Sequence, residues 1–451
     1  MKKLTKALLL VLVIVMVASF MAACTPKTEP APAATSTTPP PAATPAETTT
    51  TAPAIKWDPT MGPPPSFDPT SEVYTMDNRV PWQGIYEPPE TSRANLVKAI
   101  SALNKKDDVT VGYVTWTVGT PFFASQADTI KAMCEQYGWT YLSAVSDADV
   151  NKQIANIETF VTRGVDIIID CAFSSDAEAL AINNAAKAGV PVIGLGLPFP
   201  AGTQTITNMA TMFYEHGFAD GIYVADKFDG VHIKGAFIPG QIGHPIGESK
   251  LNGFIGGFIY QRAILMGKPF PTIEAAMMYG YNLEQQITKN AKFTDPDFDW
   301  EIVGSIDGMW SKDGGQKAAE DILTAHPDIN FMFTDNDQEA MGAILAMQQA
   351  GLNPGKDIQI CCVGDGSIDA LRMVQDGTIM CMTFSSPYTW AGSCIELAHK
   401  IFVDGFDATN LPSNVYLSTI LIDKDSVAKW IPTDGSEYPT QPMPDFIPLS
   451  S

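Results

Sequence analysis

The sequence predicts an α/β chain with two doubly wound parallel-sheet domains, and three observations carry that prediction. Short apolar runs of strand length alternate with helix-length segments whose apolar residues recur at i, i+3 and i+4. Glycines stand where those helices should stop. The alternation also occurs twice, over residues 109–195 and again over 233–376, as expected for two βα series on one chain. At 451 residues there is room for two or three domains, and 45% hydrophobic against 17% charged residues supplies their cores.

In the first series, residues 109–114 (VTVGYV) read as a buried strand. Over 124–137, Ala127, Ile130, Cys134 and Tyr137 share one helical face, and Gly138 ends the helix. A strand over 139–145 leads to a helix carrying Ile154, Ile157 and Val161, closed by Gly164. The near-continuous apolar run 165–169 fits a strand covered on both faces. A helix over 176–188, Gly189 and a strand over 190–195 repeat the unit. In the second series, strands at 233–238, 301–304, 329–333 and 358–363 alternate with helices near 248–266, 314–325, 338–350 and 367–376. Such units take right-handed crossovers and bind ligands outside the carboxyl ends of their strands, so the loops after each strand should line a site.

The first 24 residues have a different character. Lys2, Lys3 and Lys6 precede an apolar run over 7–20, the layout of a secretory signal and too short for a comfortable membrane span. Met21-Ala22-Ala23-Cys24 closes it and resembles a bacterial lipoprotein box, which makes Cys24 the lipidation site. Residues 25–54 are almost entirely Thr, Pro and Ala; they cannot bury a core and would reach on the order of 90 Å as an extended tether. Residues 55–108 interleave prolines with Trp57, Phe67, Tyr74, Trp82 and Tyr86, as an irregular arm would, with a helix expected after Ser92. The chain carries 28 Lys+Arg against 50 Asp+Glu, a net charge of −22, which argues against a nucleic-acid partner.

Several segments resemble the type I periplasmic sugar-binding proteins, the ribose-binding-like solute receptors of ABC importers. They are Thr120-Pro121-Phe122-Phe123, the stretch 153–176, Ala188-Gly189-Val190-Pro191-Val192, the stretch 325–342 (AHPDINFMFTDNDQEAMG) and Val363-Gly364-Asp365-Gly366. The resemblance covers roughly residues 109–430. It implies two lobes with a three-stranded hinge near 208–213, 383–388 and 414–418. The organisation expected is therefore signal 1–24, tether 25–54, arm 55–108, one lobe of 109–210 plus 386–416, a second of 211–385 plus 417–430, and a tail 431–451.

A sugar has apolar C–H faces and a hydroxyl rim, so aromatic rings suit the faces and carboxylates or amides the rim. By resemblance, Phe122 and Phe123 lie on one side of the ligand and Trp310 on the other. Asn336 and Asp365 form the polar pair of the second lobe, and Ser385 stands where the family often has glutamine. Trp116 leaves the first strand near the same mouth, and Cys171, within the 153–176 stretch, joins the ligand set. Where many ribose-like receptors carry an Asp-Arg pair, this sequence has Gly196-Leu197. The arginine ahead of the second-lobe helix is replaced by Glu248 or its neighbours. The expectation is a site that has lost cationic donors and gained an acid, suited to a neutral sugar or polyol or to a ligand carrying an amine.

Other constellations point to no chemistry. Asp295, Asp297 and Asp299 alternate like calcium-loop ligands, but Trp300 and Ile306 stand where an EF-hand needs Gly and Glu, which leaves a solvated acidic loop and no metal. His216, His232, His244, His326 and His399 show no paired zinc spacing, and neither a nucleophile elbow nor a phosphate loop is present. Cys134, Cys361 and Cys362 read as small core residues, and a Cys381–Cys394 pairing is left open. The function expected is ligand capture without bond breakage or cofactor by a monomeric, lipid-anchored extracellular or periplasmic receptor that hands its ligand to an ABC permease. The rivals are a receptor of the same fold serving a membrane kinase or chemoreceptor, a nucleoside-binding lipoprotein and, from another class, a secreted hydrolase.

Overall fold

The computed structural model describes residues 107–448, so the signal, Cys24, the tether and the arm lie outside the described residues. No described helix is long and apolar enough to cross a membrane.

β1 (Thr110–Thr115), β2 (Thr140–Val145), β3 (Ile167–Cys171), β4 (Val192–Leu195), β5 (Asn208–Thr211) and β12 (Asn414–Leu417) form one sheet. Its order is β12-β5-β4-β3-β1-β2 and every pairing is parallel. Alternation along β3 shows how it is covered. Ile167, Ile169 and Cys171 join the core under α1 (Pro121–Tyr137) and α10 (Pro387–His399). Ile168 joins the opposite core under α2 (Val150–Arg163) and α3 (Ser175–Lys187). Gly138 and Gly164 end α1 and α2 in the left-handed region, at φ 72° and 67°, which the sequence expected of them.

The second sheet contains β6 (Ile233–Ile238), β7 (Phe293–Asp295), β8 (Trp300–Ser305), β9 (Phe331–Thr334), β10 (Gln359–Gly364), β11 (Cys381–Phe384) and β13 (Ile420–Asp423). Its order is β13-β11-β10-β9-β6-β8-β7, antiparallel only at the edge pairs β11–β13 and β7–β8. One face is covered by α4 (Phe213–Lys227), α5 (Pro245–Leu265) and α6 (Ile273–Asn290). α7 (Lys312–Ala325), α8 (Asp337–Gln349) and α9 (Ile368–Asp376) cover the other. Strand order reverses between β1 and β3 in the first sheet and between β6 and β9 in the second, and these switch points open crevices at the carboxyl ends.

The chain passes between the sheets three times. It leaves β5 for α4, returns from β11 to α10, and crosses again from β12 to β13. This is the type I periplasmic binding protein fold.

α4 was not legible as a helix because it is buried nearly all round and lacks a polar stripe. Its glycines explain how it packs. A Cβ at Gly217 would fall on the Lys250 carbonyl and one at Gly221 on that of Phe254. Reciprocally, Cβ atoms at Gly253 and Gly257 would meet the carbonyls of Tyr214 and Phe218. The two backbones therefore touch along this seam, which fixes α5 and the side chains it projects.

Two expectations are corrected. Cys394 lies in the first lobe's core, its Sγ 3.6 Å from the Trp390 carbonyl, whereas Cys381 lies in the second lobe's core beside Cys361, so they form no pair. All six described cysteines are free and buried. Asp295 is not part of a solvated loop. Its buried carboxylate accepts from Tyr279 Oη at 3.0 Å, Trp300 Nε1 at 3.2 Å and the Asp297 amide at 3.2 Å, and so ties α6 to the sheet edge.

Candidate functional site

On the first lobe the loop after β1 and the start of α1 gather aromatic rings. Trp116 meets Phe123 edge-on at 4.8 Å between centroids and Phe173, from the loop after β3, at 5.7 Å. Phe123 meets Phe122 at 5.3 Å, and Phe122 meets Trp390 of α10 at 5.6 Å. Trp116, Phe122 and Phe123 are each only partly buried, so this rim keeps ring surface open to solvent. Pro121 at the first position of α1 sets the turn that presents the two phenylalanines. The loop after β4, holding Gly196 and Leu197, adds no charge, and Leu197 is buried.

On the second lobe the corresponding loops are charged. Asp335, directly after β9, is fully buried. Its Oδ2 accepts from the Gly240 amide at 3.1 Å and from Trp310 Nε1 at 2.5 Å. Trp310 and Met309 both take positive φ, 48° and 54°, a region costing roughly 1–2 kcal/mol per non-glycine residue. The surroundings hold that posture in place. The Trp310 amide donates to Glu339 Oε1 at 2.8 Å, its carbonyl accepts from Asn336 Nδ2 at 3.3 Å, and the Met309 amide donates to the Gly240 carbonyl at 2.7 Å. His244, the N-cap of α5, meets the indole edge-on at 4.8 Å.

Sequence reasoning missed Lys250, the one buried cation among the described residues at these strand ends. Its Nζ donates to the Asp335 carbonyl at 2.7 Å and the Val363 carbonyl at 3.2 Å, lies 3.6 Å from Asp335 Oδ1, and stands 5.7 Å over the Phe213 ring. Burial works against the charge, but Asp335, Asp365 and Glu339 outweigh it and hold the ammonium above its ordinary pKa. The expected loss of cationic donors is thus corrected: a lysine stands among the acids. Phe213 in turn lies 5.8 Å from Trp390. An unbroken run of contacts therefore leads from Trp116 through Phe123, Phe122, Trp390 and Phe213 to Lys250, Asp335 and Trp310, from one lobe's mouth to the other's.

Asp365 is half-buried, and its amide donates to Asp337 Oδ1 at 2.8 Å. Burial, then the carboxylates of Asp337 and Asp335, push its own carboxyl up to about 8 against the pull of Lys250. Burial and Asp335 likewise push Glu339 well above the usual carboxylate range. Burial lowers the pKa of His244, so its ring is neutral at pH 7. Asn336 caps α8, its Oδ1 accepting from the Glu339 amide at 3.0 Å, which leaves one Nδ2 hydrogen uncommitted.

Three expected residues are not brought to this cluster. Cys171 stays in the core, its Sγ 3.9 Å from Gln126 Oε1 and its thiol pushed up by burial. Glu248 lies two positions from Lys250, about 200° round the helix. Burial and then the Glu284 carboxylate of α6 raise its pKa, so it faces α6 and not Asp335. Ser385 lies at the second crossing, its Oγ 3.0 Å from Thr211 Oγ1 at the first.

Two lobes joined by three crossings, with rings at the strand ends of one and charges at the strand ends of the other, are the build of a binding protein of the periplasmic type. Comparison with known proteins agrees. Residues 111–405 match the periplasmic binding protein domain, and the chain belongs to that family. It is 25% identical over 314 residues to the ribose import binding protein of Escherichia coli K12, covering 68% of this chain and 91% of that protein. It is also 25% identical over 321 residues to the D-apiose import binding protein of Paraburkholderia graminis, covering 71% and 88%. Among solved structures, the arabinose transporter's periplasmic component from Shewanella sp. ANA-3, bound to arabinofuranose, superposes with a TM-score of 0.57 at 22% identity over 71% of this chain and 94% of that one.

Proposed function

We propose that this chain is an extracytoplasmic receptor that captures a small sugar or polyol between its lobes and delivers it to an ABC permease, held at the membrane by a lipid on Cys24. The observation that carries the reading is the run of contacts from Trp116 to Trp310, which joins an aromatic lip to a charged one across the cleft. Rings suit the C–H faces of a sugar, and Asp365, Asn336 and Lys250 suit its hydroxyl rim. The names of the relatives, a ribose import binding protein and a D-apiose import binding protein, support the same ligand class. In this reading the lobes are residues 109–210 with 386–416 and 211–385 with 417–430, and the crossings are the hinge. Capture involves no bond breakage.

A ligand carrying an amine is a second reading, favoured by one lysine among three acids, Asp335, Asp365 and Glu339. Native mass spectrometry of the purified chain, followed by calorimetry with pentoses, hexoses, polyols, amino sugars and nucleosides, identifies the ligand. Trp310→Ala and Asp365→Ala should each weaken it more than tenfold. Binding of the identified ligand as tightly as by wild type in both variants would place the site elsewhere.

A further inference from the structure

After the 3-10 turn Val427–Lys429 the chain runs on to residue 448 without helix or strand, yet parts of it are buried as deeply as the core. It begins on the second lobe. The Glu437 carbonyl accepts from the Ile368 amide at the start of α9 at 2.8 Å, and the next residue, the buried Tyr438, already meets Tyr388 of the first lobe's α10 edge-on at 5.6 Å. It ends on the first lobe, where Met443 Sδ lies 3.2 Å from Ser393 Oγ of α10 and Phe446 packs against that lobe's core.

Midway, Gln441 is 3% exposed and every polar atom of it is engaged at the crossings. Its Oε1 accepts from the Ser386 amide at 2.7 Å, and its Nε2 donates to the Phe384 carbonyl at 3.2 Å, all at the second crossing. The same Nε2 donates to the Ser418 carbonyl at 3.3 Å, at the third. Thr389 of α10 fixes the backbone at this point: its Oγ1 accepts from the Gln441 amide at 2.9 Å and lies 3.5 Å from the Gln441 carbonyl.

We propose that Gln441 is a positioning residue for ligand capture: the C-terminal strap carries it across the hinge, where its amide holds the second and third crossings at one separation and so sets the balance between open and closed lobes. The inference rests on the reading that the lobes close about these crossings. Hinge closure requires the backbone at the crossings to change its dihedrals. One short amide bonded to two crossings satisfies all its bonds at a single spacing, and a buried amide left unsatisfied is costly. Ile246, at the start of α5, packs against the first lobe's core, so the spacing Gln441 holds is one in which the lobes touch.

The test is electron–electron distance measurement between spin labels introduced by Lys187→Cys on α3 and Asp321→Cys on α7, both exposed, in the full chain on a Cys24→Ser background. Without added sugar, Gln441→Ala should move weight to longer distances, changing the open-to-closed ratio about tenfold, the size expected for one buried hydrogen bond. Gln441→Glu keeps the acceptor for Ser386 but loses both donors and should do the same. If the Ala variant fails to fold, Gln441→Glu and Thr389→Val decide. A distribution identical to wild type in the folded variants, with or without a fall in melting temperature, overturns the inference. A separate arm adds ribose, allose, arabinose or myo-inositol to wild type. If none shortens the distance, the closure reading itself fails; if one does while the variants match wild type throughout, only the role of Gln441 fails.

Discussion

The two lips of the cleft are built from opposite materials. The first-lobe lip is a chain of rings in edge-on contact, Trp116, Phe123, Phe122 and the buried Trp390, of which the first three are partly open to solvent. The second-lobe lip is a buried electrostatic cluster in which Lys250, Asp335, Glu339 and Trp310 bond mainly to one another. The aromatic lip is held by dispersion and tolerates small displacements, whereas the charged lip depends on each bond, because a buried charge left alone is far more costly than a ring left partly bare. The first can give way to a displacement; the second fixes donors and acceptors in one geometry.

The largest test of this contrast is Lys250→Met. It preserves the apolar stem and removes the ammonium, leaving the Asp335 carboxylate buried without its cation. Urea unfolding should show a loss of about 3–5 kcal/mol. Adding Asp335→Asn to the same chain should recover more than half of it. A loss below about 1 kcal/mol would mean that the pair behaves as a solvated surface bridge and that the contrast is misdrawn.

The seam that aims Lys250 comes next. Gly217→Ala places a methyl group on the Lys250 carbonyl, so α5 must move away from α4 or the variant must carry the strain. The expected cost is about 1–3 kcal/mol, with weakened ligand binding because Lys250 moves along with α5. Trp116→Ala, on the other lip, should cost only about 1–2 kcal/mol of stability, the share of a partly buried ring, while lowering affinity for the identified ligand more than tenfold. A variant that lost stability but kept its affinity would make Trp116 a packing residue.

The same contrast governs what could be read from the sequence. The βα alternation of both series was legible because period-2 and period-3.6 patterns survive wherever an element has one buried and one solvated face, as in α1 and α2. Aromatic residues directly after a strand stood out, and Trp116, Phe122 and Phe123 do lie together. The charged lip was harder. Glu248 and Lys250 are two positions apart on a helix buried along most of its length, and only a known neighbour says which one faces the strand ends. A lysine there reads by default as a snorkelling side chain, and nothing in the sequence announces the Asp335 and Val363 carbonyls that accept its hydrogen bonds. The strap was read as a bare tail because it has no periodicity; its burial comes from fitting over crossings assembled from three distant segments.

The last prediction separates the lips by pH. Asp365 holds its proton in the folded protein up to about 8, whereas an unfolded carboxyl gives it up near 3.8. Between those values the native state binds more protons than the unfolded one, so this group's stabilisation is complete below about pH 4 and is lost as pH rises towards about 8. Asp337 and Glu339 are raised in the same direction. Melting temperature should therefore be higher at pH 5.5 than at pH 8.5, by calorimetry in buffers of equal ionic strength. Asp365→Asn fixes the neutral form and should flatten that slope. Trp116→Ala should lower the whole curve without changing its slope, since no ring of the aromatic lip titrates in this range. Some slope should survive Asp365→Asn, because Asp170 and Glu178, buried together beneath the aromatic lip, are also raised by burial. A slope unchanged by Asp365→Asn would assign the whole pH dependence to that pair and to the other second-lobe acids.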